Sequence, residues 1–291
     1  MPPARVLVHD GHSVQPADRP TVSVLDHGFL FGDSVYEVVR TANGLPFQLH
    51  EHLQRLRRSS TMTYFEIPWA DEEIAARLAR LYEALDTDEA YFRIVATRGP
   101  GPLSLLPDGC DEPRLYLIGC ELLRYPRWQY EKGCSVAVVR RLRNDPRALD
   151  PRAKTGNYLN NMLGFIEARR AGADDALFLN ADDHLTESTT SNVWLVQDGS
   201  VLTPPVEEGL LPGITREWLF GALPKAGVEV REQVIPRTAL EHADEVFLTG
   251  TVKGVMPVTR IDGEPVGDGK PGPVTAQAAH LYDAALRANT G

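Results

Sequence analysis

Residues 35–56, VYEVVRTANGLPFQLHEHLQRL, carry two hydrophobic periods in succession. Val35–Arg40 alternates as a half-buried strand does, Ala42-Asn43-Gly44 is a turn, and Leu45–Leu49 reads as a second short strand. Leu49, Leu53 and Leu56 then fall at i, i+4 and i+7, the spacing of an amphipathic helix near 50–60. A switch from strand period to helix period within one stretch indicates a mixed α/β chain.

Outward from this stretch the pattern repeats. A helix follows Pro68 and Asp71, with Ile74, Leu78, Leu81 and Leu85 on its buried face and an acidic first turn, Asp71-Glu72-Glu73, that suits the helix dipole. Strands near 91–97 and 114–119 complete an N-terminal α/β domain over 1–121. Residues 122–133, LLRYPRWQYEKG, are polar, proline-interrupted and unpatterned, the marks of a linker. Over 134–291 a second domain is expected, with strands at 135–140, 176–180, 192–196 and 245–249 and a hairpin turn at 197–200 leading into 201–203. Its helices lie near 156–170, ended by Gly172, and near 214–223, ended by Pro224 and Gly227.

Charge narrows the partners. Forty acidic against thirty basic residues give −10, the wrong sign for a chain whose main partner is nucleic acid or an anionic membrane face. An anionic ligand must therefore be held by local groups. No apolar run approaches the ~18 residues of a membrane span, and the opening MPPARVLVHDG lacks the apolar stretch of a signal peptide. Cys110, Cys120 and Cys134 match neither a zinc site nor a disulfide framework, so a soluble cytoplasmic protein with reduced thiols is expected. No metal site is expected either, because His50 and His52 point to different faces of their helix.

Two segments can hold a phosphate. At Leu211-Pro212-Gly213-Ile214-Thr215-Arg216 a proline–glycine turn opens into a helix, so free N–H groups and the Thr215 hydroxyl meet at its positive end. Phe247-Leu248-Thr249-Gly250-Thr251 ends a strand in a second turn where N–H groups can converge. The glycine-rich GDGKPG at 267–272 has proline where a P-loop needs Ser or Thr and reads as a surface turn.

A phosphate-bearing cofactor directs attention to the lysines, since pyridoxal phosphate needs one for its Schiff base. There are five. Lys132, Lys225 and Lys270 stand in solvated settings; Lys253, after the Gly-Thr turn, is the one rival to Lys154, with a surface role as its better reading. Lys154 follows a polar stretch and opens the helix KTGNYLNN, a setting that can desolvate and fix an amine. The cofactor also needs an acid beside its pyridine nitrogen. Glu187, followed by Ser188-Thr189-Thr190-Ser191, reads alone as part of a polar loop, but its place in the chain between Lys154 and Thr215 recommends it.

Seven ordered blocks resemble the class IV, fold type IV, pyridoxal-phosphate enzymes: FGDSVYEVVR (31–40), LHEHLQRLRRS (49–59), YFRIVATRG (91–99), KTGNYLNN (154–161), LTESTTSNVW (185–194), LPGITR (211–216) and DEVFLTGTVKGVMPV (244–258). That group includes branched-chain and D-amino acid aminotransferases, (R)-amine transaminases and aminodeoxychorismate lyases. The resemblance implies a smaller N-terminal and a larger C-terminal α/β domain, the cofactor in the cleft, and a homodimer completing the pocket. It implies Lys154 as Schiff-base lysine and proton shuttle, and Glu187 on the pyridine nitrogen. Arg55, Ile214, Thr215 and Thr251 are implied on the phosphate, and Tyr158 on the cofactor hydroxyl. By spacing alone Arg55 lies off the leucine stripe and reads as a solvated charge.

The same resemblance is mixed on substrate. Phe31, Tyr36 and Val38 are similar to the D-amino acid and (R)-amine branch, whereas Tyr91 and Arg93 resemble the Tyr-x-Arg of the branched-chain group. The Arg-x-His element with which D-enzymes trap a carboxylate is replaced by Pro102-Leu103-Ser104-Leu105, which cannot bind one. Arg93, with Arg40 and the Thr251/Val252 backbone, is expected to orient the substrate carboxylate instead, while Arg98 reads as structural. The expected activity is amino transfer from a small amino acid or primary amine to a 2-oxo acid, of D-amino acid or (R)-amine type. The alternatives are a branched-chain L-amino acid aminotransferase and an aminodeoxychorismate lyase forming p-aminobenzoate and pyruvate.

Overall fold

The computed structural model describes residues 5–290; residues 1–4, the first part of the stretch searched for a leader, and residue 291 lie outside it. The chain divides into two compact units. The first extends to Leu123 and takes in Ala153–Asn157 and the end of the chain from Asn289; the second comprises Arg124–Arg152 and Tyr158–Ala288.

The first unit contains β1 (Leu7–His9), β2 (Val14–Pro16), α1 (His27–Phe31), β3 (Ser34–Ala42), β4 (Leu45–Pro46), α2 (Leu49–Met62), α3 (Asp71–Leu85), β5 (Ala90–Thr97) and β6 (Arg114–Glu121). Its six strands form an antiparallel sheet in the order β2-β1-β6-β5-β3-β4. Because side chains alternate along a strand, the sheet has two chemically different faces. Val35, Val39, Phe92, Ile94, Leu115 and Leu117 form a core with Leu53 and Leu56 of α2 and Ile74, Leu78, Leu81 and Leu85 of α3. The opposite face carries Tyr36, Val38 and Arg40 beside Tyr91 and Arg93, with Val38 directly across from Arg93 and Arg40 across from Tyr91.

The second unit contains α4 (Arg127–Lys132), β7 (Cys134–Val138), α5 (Leu159–Arg170), β8 (Asp175–Leu179), β9 (Leu185–Ser188), β10 (Asn192–Gln197), β11 (Ser200–Thr203), α6 (Ile214–Ala222), β12 (Val230–Glu232), β13 (Glu245–Gly250), β14 (Gly254–Ile261), β15 (Glu264–Pro265) and α7 (Pro273–Arg287). Its strands run in the order β12-β11-β10-β13-β14-β7-β8-β9, and β9 also pairs with β10 at Glu187↔Asn192. The path from β10 through β13, β14, β7, β8 and β9 thus returns to β10, a closed ring filled by Leu177, Leu185, Val193, Leu195, Leu248 and Met256. Closure removes two exposed edges and places the short β9, with Glu187, inside a continuous sheet.

Three expectations are corrected. The stretch 122–133 is not an unstructured linker: α4 occupies Arg127–Lys132, and the second unit begins at Arg124. The second strand near 45–49 stops at Pro46, because Gln48 adopts a left-handed φ of 53° and α2 starts at Leu49. Lys154 does not open a helix, since α5 begins at Leu159. Residues 153–157 instead add to β3 in the first unit, through a Thr155 bridge to Val35 and backbone bonds from Tyr36 N–H to Lys154 O (2.9 Å) and Gly156 N–H to Ser34 O (2.8 Å). A free edge of β3 satisfies these groups, which a helix start would have left open.

Candidate active site

In the first unit the strand-like placement of Lys154 directs its amine to the polar face of the sheet. Its Nζ lies 4.5 Å from the centroid of the Tyr36 ring, and the Arg93 guanidinium carbon lies 3.9 Å from that centroid. Both distances are within cation–π range. Among the described residues neither Arg93 nor Arg40 forms an ion pair; Arg40 Nε donates to the Thr41 carbonyl at 3.2 Å. A lysine amine, an aromatic ring and two arginines free of carboxylates are the groups that could hold an anionic substrate. Phe31 ends α1, partly exposed, its ring edge-on to His27 at 5.0 Å.

Arg55 is not a solvated charge. It is buried, donating from Nε to Glu37 Oε1 at 2.6 Å and from Nη2 to Glu37 Oε2 at 2.9 Å, while His52 Nδ1 meets the same Oε2 at 2.7 Å. His52, Arg55 and Ser59 lie at i, i+3 and i+7, a polar stripe buried beside the leucine stripe of α2. Ser59 Oγ accepts from the Lys154 N–H at 3.0 Å, so the stripe also fixes the lysine backbone. Burial alone would raise the Glu37 carboxyl, but the charges of Arg55 and His52 hold it well below the usual carboxylate range. Burial, with the Arg55 and Lys154 cations, lowers His52 despite the pull of Glu37, whose carboxylate accepts from its Nδ1–H. Arg98, read as structural, pairs with Asp33 and donates to the Tyr64 and Thr63 carbonyls.

In the second unit Glu187 is buried in a strand, not in a polar loop. Its Oε1 accepts from Arg143 Nε at 2.8 Å and its Oε2 from the Leu211 N–H at 3.1 Å. Arg143, which the sequence reading overlooked, also donates to Asn160 Oδ1 at 3.0 Å. The signal was present but not local: an acid within a buried strand needs a cation, and the run Arg140-Arg141-Leu142-Arg143 supplies candidates.

Ile214 opens α6 behind a Gly213 cap that has no side-chain hydrogen bond. A Cβ there would come 2.0 Å from Asn192 Oδ1, so glycine lets that side chain keep its place against the turn. The first N–H groups of α6 are therefore left for a ligand, with the buried Thr215 hydroxyl 3.3 Å from the Tyr282 hydroxyl. Thr251 and Val252 stand half-buried in the turn joining β13 to β14, and Tyr158 occupies the N-cap of α5.

Lys253 departs from its expected surface setting. It is buried, its Nζ 2.6 Å from Asp175 Oδ2 and 5.4 Å from the centroid of Tyr125. Lys270 is exposed, as read from its turn. The cysteines are free thiols, and burial pushes Cys134 up to about 12. Among the described residues no cluster of His, Cys, Asp or Glu could hold a metal, and no helix is long and apolar enough to cross a membrane.

The donor set fits pyridoxal phosphate. A carboxylate offers about four lone-pair positions, and Arg143 and Leu211 use two of those on Glu187, leaving room for a ring N–H. The uncapped α6 start suits a phosphate, and the Ser188 and Ser191 hydroxyls beside Glu187 are buried without a partner in the structure.

The profile of the family described as Amino-transferase class IV matches residues 34–261. The chain is 36% identical to the D-alanine aminotransferase of Listeria monocytogenes serotype 1/2a, over 96% of this chain and 94% of the relative. It is 32% identical to the branched-chain-amino-acid aminotransferase of Salmonella typhimurium, over 90% and 86%. It also superposes on the T.th. branched-chain amino acid aminotransferase, solved with pyridoxamine 5'-phosphate, with a TM-score of 0.91 at 31% identity, covering 98% of this chain and 95% of that one.

Proposed function

The chain belongs to the class IV aminotransferases, pyridoxal-phosphate enzymes of fold type IV, and from that premise we propose that it moves an amino group from an α-amino acid to a 2-oxo acid with Arg93 as the carboxylate anchor. The observation that carries this reading is the grouping of Lys154, Tyr36 and Arg93 on one sheet face. When bound, the cofactor supplies an electrophilic aldehyde and a ring that withdraws electrons from the reacting carbon. Lys154 is the amine that binds it covalently and then carries the proton away from the substrate α-carbon. Arg93, with Arg40 on the neighbouring strand, orients the carboxylate so that the Cα–H bond faces that amine. Tyr36 lays its ring against both cations and holds them side by side.

In the second unit, Glu187 accepts the ring N–H and is itself held by Arg143 and the Leu211 amide. The phosphate is assigned to the Ile214 and Thr215 N–H groups, the Thr251 turn and Arg55, whose guanidinium Glu37 fixes. Tyr158 serves the cofactor hydroxyl, and Phe31 and Val252 border the substrate.

Two arginines on the substrate face favour amino acids over amines that lack a carboxylate. A D-amino acid preference is the second reading, supported by Val38 at a position where the branched-chain enzymes it resembles carry glycine. A homodimer is supported by exposed apolar side chains on two neighbouring segments, Val24 and Phe29 on one and Leu103, Leu105 and Leu106 on the other. These segments are joined by the Gly101 N–H to Leu25 O bond (3.1 Å). The free thiols suit the reducing cytoplasm.

The test is the half-reaction of holoenzyme with D-alanine, L-leucine, L-glutamate or (R)-1-phenylethylamine, each alone, followed by cofactor absorbance. Conversion by an amino acid and not by the amine is expected, and the mirror-image form of the fastest amino acid, run alongside, gives the handedness. An Arg93→Ala protein should show a raised KM for amino acids. Equal turnover of the amine, an unchanged KM, or pyruvate release from aminodeoxychorismate without a 2-oxo acid would overturn the reading.

A further inference from the structure

Lys253 follows directly on Thr251 and Val252, yet its side chain runs into the interior of the second unit. There Asp175, the first residue of β8, receives it on Oδ2 at 2.6 Å. The other oxygen of Asp175 accepts the Thr189 hydroxyl at 2.6 Å and the Ala176 N–H at 2.8 Å. Thr189 lies two residues after Glu187, and its carbonyl accepts Asn161 Nδ2 at 2.8 Å. The Lys253 carbonyl accepts the Tyr130 hydroxyl at 2.9 Å. The two turns also run close together: a Cβ on Gly250 would come 3.2 Å from the Thr190 carbonyl oxygen. Asp175 is thus a bracket with one arm on the 251–253 turn and the other on the segment that continues from Glu187.

A buried ion pair is a poor device for stability alone, because well-packed apolar residues of similar volume serve as well or better. Its advantage is direction. The 2.6 Å contacts on both oxygens leave the carboxylate one orientation, and each turn is held at a set distance from it. Burial would depress the Lys253 ammonium, but Asp175 more than offsets this and keeps it charged above the usual lysine range.

We propose that Lys253 is a positioning residue that, through Asp175, holds the Thr251–Val252 turn at the spacing from the Glu187 strand that a phosphate-bearing cofactor requires. This rests on the assignment of Thr251 to the phosphate. The experiment titrates the full-length chain, freed of cofactor, with pyridoxal phosphate and with pyridoxal, which lacks the phosphate, and records thermal unfolding alongside. Lys253→Met is expected to weaken pyridoxal phosphate binding at least tenfold and pyridoxal less than twofold, since Lys154 is untouched. Lys253→Arg should restore most of the loss. The double variant Lys253→Met/Asp175→Leu, with no buried charge left, should regain thermal stability without regaining phosphate affinity. Equal weakening toward both ligands, no weakening in Lys253→Met, or full recovery of affinity in the double variant would overturn the proposal. If the unmodified chain itself bound both ligands equally well, the phosphate assignment underneath would fall first, and the positioning role with it.

Discussion

The sharpest prediction concerns Glu37. Glu37→Gln keeps the volume of the side chain, so no cavity forms, but it removes the carboxylate that Arg55 and His52 share. Opposite charges about 4 Å apart attract by about 4 kcal/mol at an effective dielectric of about 20. Breaking a buried pair by removing one partner typically costs about 3–5 kcal/mol. The two figures agree, and a loss of about 3–5 kcal/mol is expected for the first unit. Hydrogen exchange of peptides from β3 and α2, compared between the two proteins at pH 7, reads that loss where it occurs. The pH dependence carries the sign. Glu37 is depressed in the folded chain, so its contribution is fully present above the unfolded carboxyl value near 4.3 and is lost as pH falls toward the folded value. His52 is also depressed, so the unfolded chain takes up its proton first and stability declines as pH falls below about 6.5. The gap between wild type and Glu37→Gln should therefore be wide at neutral pH and narrow below about pH 4. A loss under about 1 kcal/mol, the size of an exposed ion pair, would refute the reasoning. So would a gap that stayed constant with pH.

Three further outcomes are expected. Arg143→Met removes a charge-assisted bond of about 1.5–3 kcal/mol from Glu187 and should lower kcat roughly tenfold to a hundredfold in the half-reaction, with a shifted cofactor absorbance. Lys154→Ala should leave no pyridoxyl group on the chain after borohydride reduction, checked by intact mass; retained label would move the assignment to another lysine. Gly164→Ala would put a Cβ 2.2 Å from the Phe178 ring, and overpacking of that kind should cost about 1–3 kcal/mol in thermal unfolding.

The helix faces were legible because amphipathic periodicity is local. Ile74, Leu78, Leu81 and Leu85 are spaced for one buried stripe, and all four are buried. The strands at 91–97 and 114–119 were legible for the same reason, as was the start of α6 after Pro212-Gly213. The 153–157 segment was misplaced because its partner is an edge of β3, far back in the chain, and nothing in KTGNYLNN itself shows that edge.

Local pattern was enough for the mixed α/β class, the family resemblance, and a short list of lysines from which one stood out. The company each charge keeps came from contacts between distant segments. Arg55 finds Glu37 across 18 positions, Arg143 finds Glu187 across 44, and Lys253 finds Asp175 across 78. Hydrophobic periods report which way a side chain faces relative to its near neighbours. A buried charge is stabilised by whatever lies opposite it in space, and that partner is chosen by sheet register and closure, not by neighbours in the chain. Residues that read as solvated by spacing, Arg55 and Lys253 among them, proved to be buried ion-pair members.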